Sequence, residues 1–325
     1  MRTTDLAGLP AALPELALGT MTFGDTVDLD GARAMVDVAL DAGVTSIDTA
    51  NGYAAGRSET MLGEILRGRR DRVLLATKAG IYPGDAGGHP LLSRAGLRAS
   101  LEASLRRLGT DHVDLFYLHQ PDRSVPLEET ARALAEVVDA GMVRAVGVSN
   151  YAAWQVGDVA VACEQTGAPR PVIAQQLYNL LARRVEDEYA EFAATHQVAT
   201  IVYNPLGGGL LTGRHRFDDD PGEGRFGSSA LAAMYRQRYW NRTVFDAVDA
   251  LTTIAGDAGV GLPELALRWL LHRPLVAAVL LGGSRPAQLE ANIAAAARGP
   301  LPADVVAACD EVGTTLAGSM PAYNR

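Results

Sequence analysis

An aspartate and a tyrosine stand close together at the end of a predicted β-strand, in the stretch VTSIDTANGY. Residues 44–47 are β-forming or small, Asp48 ends this run, and Tyr53 follows five residues later. An aspartate in this place can simply begin a turn or cap a helix. The two residues therefore suggest chemistry only if other strands end in complementary groups.

Two further strand ends carry such groups. Lys78 lies near the end of the third predicted strand, RVLLATKAG, and His119 near the end of the fourth, VDLFYLHQ. Taken alone, each has an ordinary structural explanation, as a solvated lysine or a packed histidine. The carboxyl ends of barrel strands converge, however, and ionisable groups gathered there are costly to bury unless they pair. We therefore expect these two residues to lie beside Asp48 and Tyr53.

This set of side chains predicts a site that polarises and protonates a carbonyl group. A phenol with a pKa near ~10 is a weak acid at neutral pH, but a nearby Lys78 ammonium would lower that pKa. Asp48 would keep Lys78 protonated, so that Tyr53 could act as a general acid. His119 would orient the carbonyl oxygen. Because side chains do not donate hydride, a cofactor must supply it.

The elements that must position these residues alternate between strand and helix patterns. Eight strand-like segments are each followed by a helix-like segment, at residues 15–21, 44–50, 72–80, 113–120, 143–150, 171–179, 199–207 and 275–283. Their apolar runs are typical of parallel strands covered on both faces. Without a break in composition, they predict one (β/α)₈ TIM-barrel domain over residues 1–325. An open doubly wound sheet is the alternative, and it too would bind a ligand at the carboxyl ends of its strands.

Local signals mark helix ends and additions to the barrel. Ser58 and Ser93 are predicted N-caps, and Gly109 is a predicted helix stop. The connection at residues 207–241 is too long for an ordinary loop, which suggests a functional segment. Residues 302–313, PADVVAACDEVG, predict an additional C-terminal helix.

Phosphate-binding features occur after the last two predicted strands, although no GxGxxG motif is present. Gly207–Gly209 could let backbone amides approach a pyrophosphate, or could serve as a hinge. Ser284 and Arg285 stand at the start of the last barrel helix, where anions bind. We interpret Arg285 as a contact to a 2′-phosphate, which would favour NADPH over NADH; a surface arginine without a ligand is the alternative. Gln288 and Asn292 share a face of the same helix.

The composition argues against several classes of function. A formal charge of −9 and a pI near 5.2 disfavour a nucleic-acid partner. Cys163 and Cys309 lack CxxC spacing, and the six histidines show neither HxH nor HExxH spacing, so neither a disulfide framework nor a metal site is expected. The first residues make a poor signal peptide, and no apolar run approaches the ~20 residues that span a bilayer. We expect a cytoplasmic protein without a membrane partner.

Seven motifs, in order along nearly the whole chain, resemble those of the aldo-keto reductases. They are DTAxxY at 48–53, ATK at 76–78, LHxP at 118–121, GxSN at 147–150, Qx₂Y at 175–178, YNPLGGGLLTG at 203–213 and GxSRxxQLxxN at 282–292. The resemblance implies a (β/α)₈ barrel that binds NADPH across its mouth and reduces a small aldehyde or ketone.

The resemblance also implies a role for individual residues. Tyr53 would donate the proton, and Asp48, Lys78 and His119 would complete a tetrad. Ser149, Asn150 and Gln175 would hold the nicotinamide carboxamide, Tyr203 would stack on the ring, and Ser284, Arg285, Gln288 and Asn292 would hold the 2′-phosphate end. The remaining predicted cofactor contacts are Gly19, Thr20, Met21, Asp48, Pro205, Leu206, Gly208, Leu210 and Gly283. Candidate walls of the substrate pocket are Phe23, Tyr82 and Trp240.

Two other functions remain open on the same fold. A non-enzymatic NADP(H)-binding regulatory subunit, resembling the β-subunits of potassium channels, would also keep the tetrad. A Schiff-base aldolase would use Lys78 as its nucleophile, although a nucleophilic lysine should have a depressed pKa, and pairing with Asp48 opposes that.

Overall fold

Ten β-strands occur in the described part of this computed structural model, which comprises residues 1–222, 224–229 and 231–318. Two short strands come first, β1 (Thr3–Thr4) and β2 (Leu13–Pro14). The other eight are β3 (Leu16–Gly19), β4 (Ser46–Asp48), β5 (Leu74–Ala79), β6 (Val113–Leu118), β7 (Val143–Ser149), β8 (Ile173–Leu177), β9 (Ala199–Tyr203) and β10 (Ala278–Leu281).

These eight strands close into a barrel in the order β10-β3-β4-β5-β6-β7-β8-β9. The closure confirms the predicted TIM barrel and rules out the open sheet. Register places Asp48 beside Gly19 on one side and Ala76 on the other. Tyr117 lies between Lys78 and Gly147 on neighbouring strands. The antiparallel pair β1–β2 was not predicted, because strands of two residues show no period.

Eleven α-helices lie within the described residues. They are α1 (Leu29–Asp41), α2 (Arg57–Ile65), α3 (Arg94–Leu108), α4 (Leu127–Asp139), α5 (Ala153–Thr166), α6 (Tyr189–Thr195), α7 (Ala232–Tyr239), α8 (Arg242–Asp257), α9 (Leu262–Leu271), α10 (Pro286–Ala296) and α11 (Ala303–Ala317). The last confirms the predicted C-terminal helix, and α7 lies within the long connection. No helix in the described ranges has the length and apolarity that crossing a membrane requires.

The predicted helix ends had different outcomes. Ser93 caps α3 by accepting a hydrogen bond from the Gly96 amide, and Gly109 ends that helix in the left-handed region at φ 65°. Ser58 was wrongly predicted as an N-cap, because α2 begins at Arg57. Its hydroxyl is buried and donates to the Thr20 carbonyl at 3.0 Å. A tertiary partner thus outweighed the local capping signal.

The chain groups into two compact units. The first comprises residues 1–176, 185–203 and 274–293 and contains the barrel. Its interior is filled by a buried cluster of Leu13, Ala17, Leu74, Ala76, Leu115, Tyr117, Ala145, Ile173, Ile201, Ala278 and Leu280. The second comprises residues 177–184 and 204–273, together with the segment from residue 294 onward. In it, Asp310 of α11 accepts hydrogen bonds from Trp269 and Arg273. The prediction of one domain over 1–325 remains a prediction.

Candidate active site

Strand alternation carries polar side chains into the barrel at its carboxyl end. Side chains two residues apart on a strand share a face. Lys78 therefore follows the core residue Ala76 on the inside of β5, and Gln175 follows Ile173 on the inside of β8. His119 stands two residues beyond the buried Tyr117. The same pleat that fills the barrel with apolar groups thus ends in a polar layer.

Lys78 is the centre of this layer. Its side chain has no exposed surface, and its ammonium is paired with the Asp48 carboxylate. It also donates to the Thr49 carbonyl at 2.8 Å and to the Tyr53 hydroxyl at 3.2 Å. An ammonium has three N–H groups, so these three partners satisfy it. Burial lowers the pKa of Lys78, but the attraction of Asp48 and Tyr53 outweighs this and raises it, which keeps the amine protonated.

Asp48 is held from a second side. Its other carboxylate oxygen accepts a hydrogen bond from Gln175 Nε2 at 2.9 Å. Burial raises the pKa of Asp48, and the Lys78 ammonium and the Gln175 amide oppose that rise. The neighbouring Gln176 instead donates to the Tyr151 carbonyl at 2.7 Å. The two consecutive glutamines thus have different partners, as strand alternation requires.

Tyr53 and His119 complete the group. Their rings meet edge to face, with centroids 6.0 Å apart and planes at 79°. Burial, followed by the Lys78 charge, lowers the pKa of His119 well below its usual value, so the imidazole is neutral at pH 7. Its Nδ1 atom has no hydrogen-bond partner among the described residues. The structure thus brings the four predicted catalytic side chains together, and their roles in a reaction remain a prediction.

The backbone after Tyr53 is unusual. Ala54 and Ala55 have φ values of 49° and 55°, and Gly56 follows at 87°. Alanine disfavours the left-handed region, by roughly 1–2 kcal/mol per residue. We call residues Tyr53–Gly56 the tyrosine turn. It lifts the tyrosine from the end of β4 to a half-buried position above Lys78.

Polar residues predicted to bind the carboxamide are linked to one another. Asn150 has φ 61° and donates to the His119 carbonyl at 2.9 Å and to the Ser149 hydroxyl at 3.1 Å. Its side-chain oxygen accepts a hydrogen bond from the Tyr203 hydroxyl at 2.7 Å. This network extends the polar layer across β6, β7 and β9.

Residues predicted at the end of β3 have mixed surroundings. Gly19 is in register with Asp48, and Met21 is half-buried. Thr20 is fully buried, and its hydroxyl donates to the Asp48 carbonyl at 3.0 Å. Of the predicted pocket walls in this unit, Phe23 has no exposed surface, whereas Tyr82 is half-buried and adjoins Gly52.

The predicted 2′-phosphate residues begin α10. Gln288 Oε1 accepts hydrogen bonds from the backbone amide and the hydroxyl of Ser284, at 3.1 and 3.0 Å. Arg285 is exposed and forms no ion pair with any described residue. The Gly283 carbonyl accepts a hydrogen bond from the Thr22 hydroxyl at 2.9 Å, and Asn292 is half-buried. An exposed guanidinium without a carboxylate partner at a helix N-terminus is suited to an anion.

The other predicted residues, Pro205, Leu206, Gly208, Leu210 and Trp240, belong to the second unit. The Gly208 amide donates to Asn204 Oδ1 at 2.6 Å, and its φ of 71° favours glycine. Trp240 donates to the Phe217 carbonyl at 3.2 Å. A cavity of about 290 Å³ in this unit is lined by Arg214, His215, Arg216, Asp219, Asp220, Pro221 and Trp240. Binding of cofactor or substrate by these residues remains a prediction.

Sequence reasoning missed Tyr117. Its ring is buried beneath Lys78, with the ammonium 5.9 Å from the ring centroid, and its hydroxyl is hydrogen-bonded to Gln175. Burial, together with the Asp48 charge, raises the pKa of Tyr117 well above its usual value, so it stays protonated. Gly147 makes room for it, because a Cβ there would lie 2.6 Å from the ring. Its place two residues before His119 could have revealed it. In the described ranges, no three His, Cys, Asp or Glu residues cluster as metal ligands would.

Comparison with known proteins identifies a family to which this sequence is similar. The family model described as aldo/keto reductase family matches residues 15–314. The chain is 38% identical over 332 residues to human aldo-keto reductase family 7 member A3, an alignment that covers 98% of this chain and 99% of that protein. It is 37% identical over 327 residues to mouse aflatoxin B1 aldehyde reductase member 2, covering 96% and 88%. It is 34% identical over 286 residues to a probable voltage-gated potassium channel subunit beta of Arabidopsis thaliana, covering 85% and 84%.

Proposed function

Because this chain belongs to the aldo/keto reductase family, whose members are nicotinamide-dependent oxidoreductases, we propose that it uses NADPH to reduce a small aldehyde or ketone to an alcohol. One observation carries the proposal. A buried, protonated lysine donates at the same time to a carboxylate and to a half-buried phenol. Because relatives of this chain are named aldehyde reductases, aldehydes are the first class of substrate to test.

The tetrad would act as a proton donor with a fixed geometry. The Lys78 ammonium favours the phenolate form of Tyr53 and so makes the phenol a stronger acid. Asp48, held by Gln175, prevents Lys78 from losing its proton. When the carbonyl oxygen becomes negative, the Tyr53 hydroxyl transfers its proton to that oxygen.

His119 would orient the carbonyl oxygen without transferring a proton. Its imidazole is neutral because burial and the Lys78 charge both lower its pKa. A neutral ring can donate one hydrogen bond to the substrate oxygen and so align it with Tyr53. This division assigns the acid role to Tyr53 alone.

The residues of the first unit are suited to a dinucleotide. Ser149, Asn150, Gln175 and Tyr203 would hold the nicotinamide end, beside the backbone of Gly19–Met21. Arg285, with Ser284, Gln288 and Asn292, would hold the 2′-phosphate, because a guanidinium pairs well with phosphate oxygens. When bound, NADPH supplies the hydride that reduces the carbonyl carbon.

The primary test is NADPH absorbance with a panel of aldehydes, ketones and sugars. We expect NADPH oxidation with a reactive aromatic aldehyde. Tyr53→Phe should lower turnover by about 10²–10⁴-fold because it removes the acid, while cofactor binding persists. Wild-type turnover in this variant would exclude Tyr53 as the proton donor.

The cofactor preference has a separate test. Arg285→Ala should weaken binding of NADPH by about tenfold or more through loss of a charged phosphate contact, and binding of NADH much less. Fluorescence titration of both cofactors measures this difference. Equal losses would mean that Arg285 does not contact the 2′-phosphate.

The similarity to a channel subunit supports a second candidate, a regulatory protein that senses its bound cofactor. Tight cofactor retention without turnover on any carbonyl compound would favour it. A Schiff-base aldolase is disfavoured, because all three Lys78 N–H groups are used and its pKa is raised. Borohydride trapping of a Lys78 adduct would reverse that judgement.

A further inference from the structure

A buried ionic cluster lies behind the candidate active site. Arg107 of α3 donates from Nε to Glu59 Oε2 at 2.8 Å, and from its two terminal nitrogens to both oxygens of Asp85, at 3.0 and 2.6 Å. Glu59 has no exposed surface, and the side chains of Asp85 and Arg107 are only 10% and 22% exposed. We call these three residues the arginine cluster.

The arginine cluster contacts the tyrosine turn and the residues just before it. The Arg107 guanidinium lies directly against Gly56, where an added Cβ would be 2.8 Å from Nε. Asp85 also accepts a hydrogen bond from Asn51 Nδ2 at 3.2 Å. Asn51 and Gly56 flank Tyr53 on either side. One guanidinium–carboxylate pair thus contacts the last residue of the turn, Gly56, and the chain two residues before Tyr53.

The cluster also reaches the strand that carries Lys78. Glu59 Oε1 accepts a hydrogen bond from the Thr77 hydroxyl at 2.5 Å. Thr77 immediately precedes Lys78, and alternation directs the two side chains to opposite faces of β5. The backbone amide of Asn51 donates a hydrogen bond to the Lys78 carbonyl at 3.2 Å. The same cluster therefore contacts both segments whose separation sets the distance from the phenol to the ammonium.

We propose that Arg107, Glu59 and Asp85 are positioning residues that hold the Tyr53 phenol against the Lys78 ammonium. This inference rests on the proposed function, in which Tyr53 donates the proton. The tyrosine turn is in a disfavoured conformation, and such conformations persist only when their surroundings enforce them. Weakening the cluster lets the turn relax, moves the phenol away from the ammonium and makes it a weaker acid.

The test compares Asp85→Asn and Arg107→Lys with a matched control, Arg70→Lys. Arg70 also forms a buried ion pair, with Asp114 at 2.8 Å, but at the amino ends of the strands. Steady-state kinetics gives kcat and KM against pH for an aromatic aldehyde. Hydrogen–deuterium exchange of residues 51–56, measured without substrate, gives the mobility of the turn, and urea unfolding gives the stability of each variant.

We expect both cluster variants to lose about 10–100-fold in kcat with little change in KM, because a misplaced acid affects the reaction more than binding. The alkaline limb of kcat should shift to higher pH, since a phenol farther from the ammonium releases its proton later. Exchange at residues 51–56 should accelerate. Arg70→Lys should change neither the limb nor this exchange, even where it lowers stability equally.

Unchanged kcat, or a loss with an unmoved alkaline limb and unchanged exchange, would overturn the inference. The rescue pattern adds a check, because Asp85→Glu keeps the charge and should recover more kcat than Asp85→Asn. Failure of the proposed function gives a different result, in which wild-type protein oxidises no NADPH with any carbonyl compound. In that case the exchange comparison still decides whether the cluster holds the turn.

Discussion

Two buried ion pairs lie at opposite ends of the barrel strands, and they are connected differently. At the amino end, Asp114 accepts hydrogen bonds from Arg70 at 2.8 Å and from the Leu75 amide at 2.9 Å. The same guanidinium donates to the Val73 and His112 carbonyls. A second arginine, Arg144, lies 3.5 Å from the other Asp114 oxygen, and the remaining contacts of the pair are to backbone atoms. Such an arrangement fixes the chain where two strands begin, and it leaves no titratable partner for chemistry.

The pair at the carboxyl end has one different connection. Lys78 donates to Asp48 and to a backbone carbonyl, as in a structural pair, but its third donor meets the phenol of Tyr53. That phenol is half-buried and beside a neutral imidazole. Burial is common to both pairs and does not distinguish them. The difference is that the third Lys78 donor ends on a titratable, partly exposed group.

The substitution Lys78→Met is expected to have the largest effect, and it tests whether the pair at the carboxyl end differs in function from the pair at the amino end. It removes the charge that is proposed to make Tyr53 a stronger acid, and on that proposal turnover should fall by about 10³-fold. It also leaves Asp48 buried and unpaired, which should lower the free energy of unfolding by about 3–5 kcal/mol. Urea unfolding and NADPH oxidation measure the two effects.

The double variant Asp48→Asn/Lys78→Met separates these effects. Removing both charges should restore most of the stability, because no unpaired buried charge remains. It should not restore turnover. A double variant as active as wild type would show that the ion pair has only a structural role.

The converse change is Asp114→Ala at the amino end. It should lower the free energy of unfolding by about 2 kcal/mol, because Arg70, Arg144 and the Leu75 amide lose their acceptor while both arginines stay partly solvated. Turnover of the folded protein should not change. A selective loss of kcat, at conditions where the variant is fully folded, would contradict the distinction between the two pairs.

Much of this contrast was accessible from sequence. Apolar runs ending in Asp48, Lys78 and His119 predicted both the barrel and the meeting of these residues, because parallel strands bring their carboxyl ends together. The tyrosine turn was not predictable, since alanine has no local preference for a left-handed conformation. The arginine cluster was equally hidden, because Glu59, Asp85 and Arg107 come from three separate segments and only tertiary packing brings them together.

A smaller effect is expected in the pH dependence of stability, through the buried His119 at the carboxyl end. The pKa of His119 is lowered in the folded protein, so between that value and about 6.5 the unfolded chain binds more protons. The contribution of the neutral His119 to the free energy of unfolding is therefore fully present above about pH 6.5. It is lost progressively as the pH falls below 6.5, by roughly 1 kcal/mol between pH 7 and 5.5.

His119→Gln should remove this contribution. Part of the pH dependence should remain, because burial and Arg214 also lower the pKa of His215. Urea unfolding of both proteins at pH 7 and pH 5.5 gives the comparison. The same loss of stability in variant and wild type would mean that His119 is not the group being protonated.

The smallest expected effect concerns strain beside Tyr53. Ala55 is exposed and has φ 55°, so Ala55→Gly should raise the free energy of unfolding by about 0.5–1 kcal/mol by relieving the left-handed alanine. The matched control is Ala42→Gly, at an exposed position with φ −84°, where glycine brings only flexibility and should lower stability. If the turn is strained in order to hold the phenol, Ala55→Gly should lower kcat although it stabilises the fold. Urea unfolding should show a gain in stability for Ala55→Gly and a loss for Ala42→Gly, and kinetics should show a lower kcat for Ala55→Gly. Together these results would show that the chain is strained at residue 55 and relaxed at residue 42. Equal signs at residues 42 and 55 would mean that the turn stores no strain.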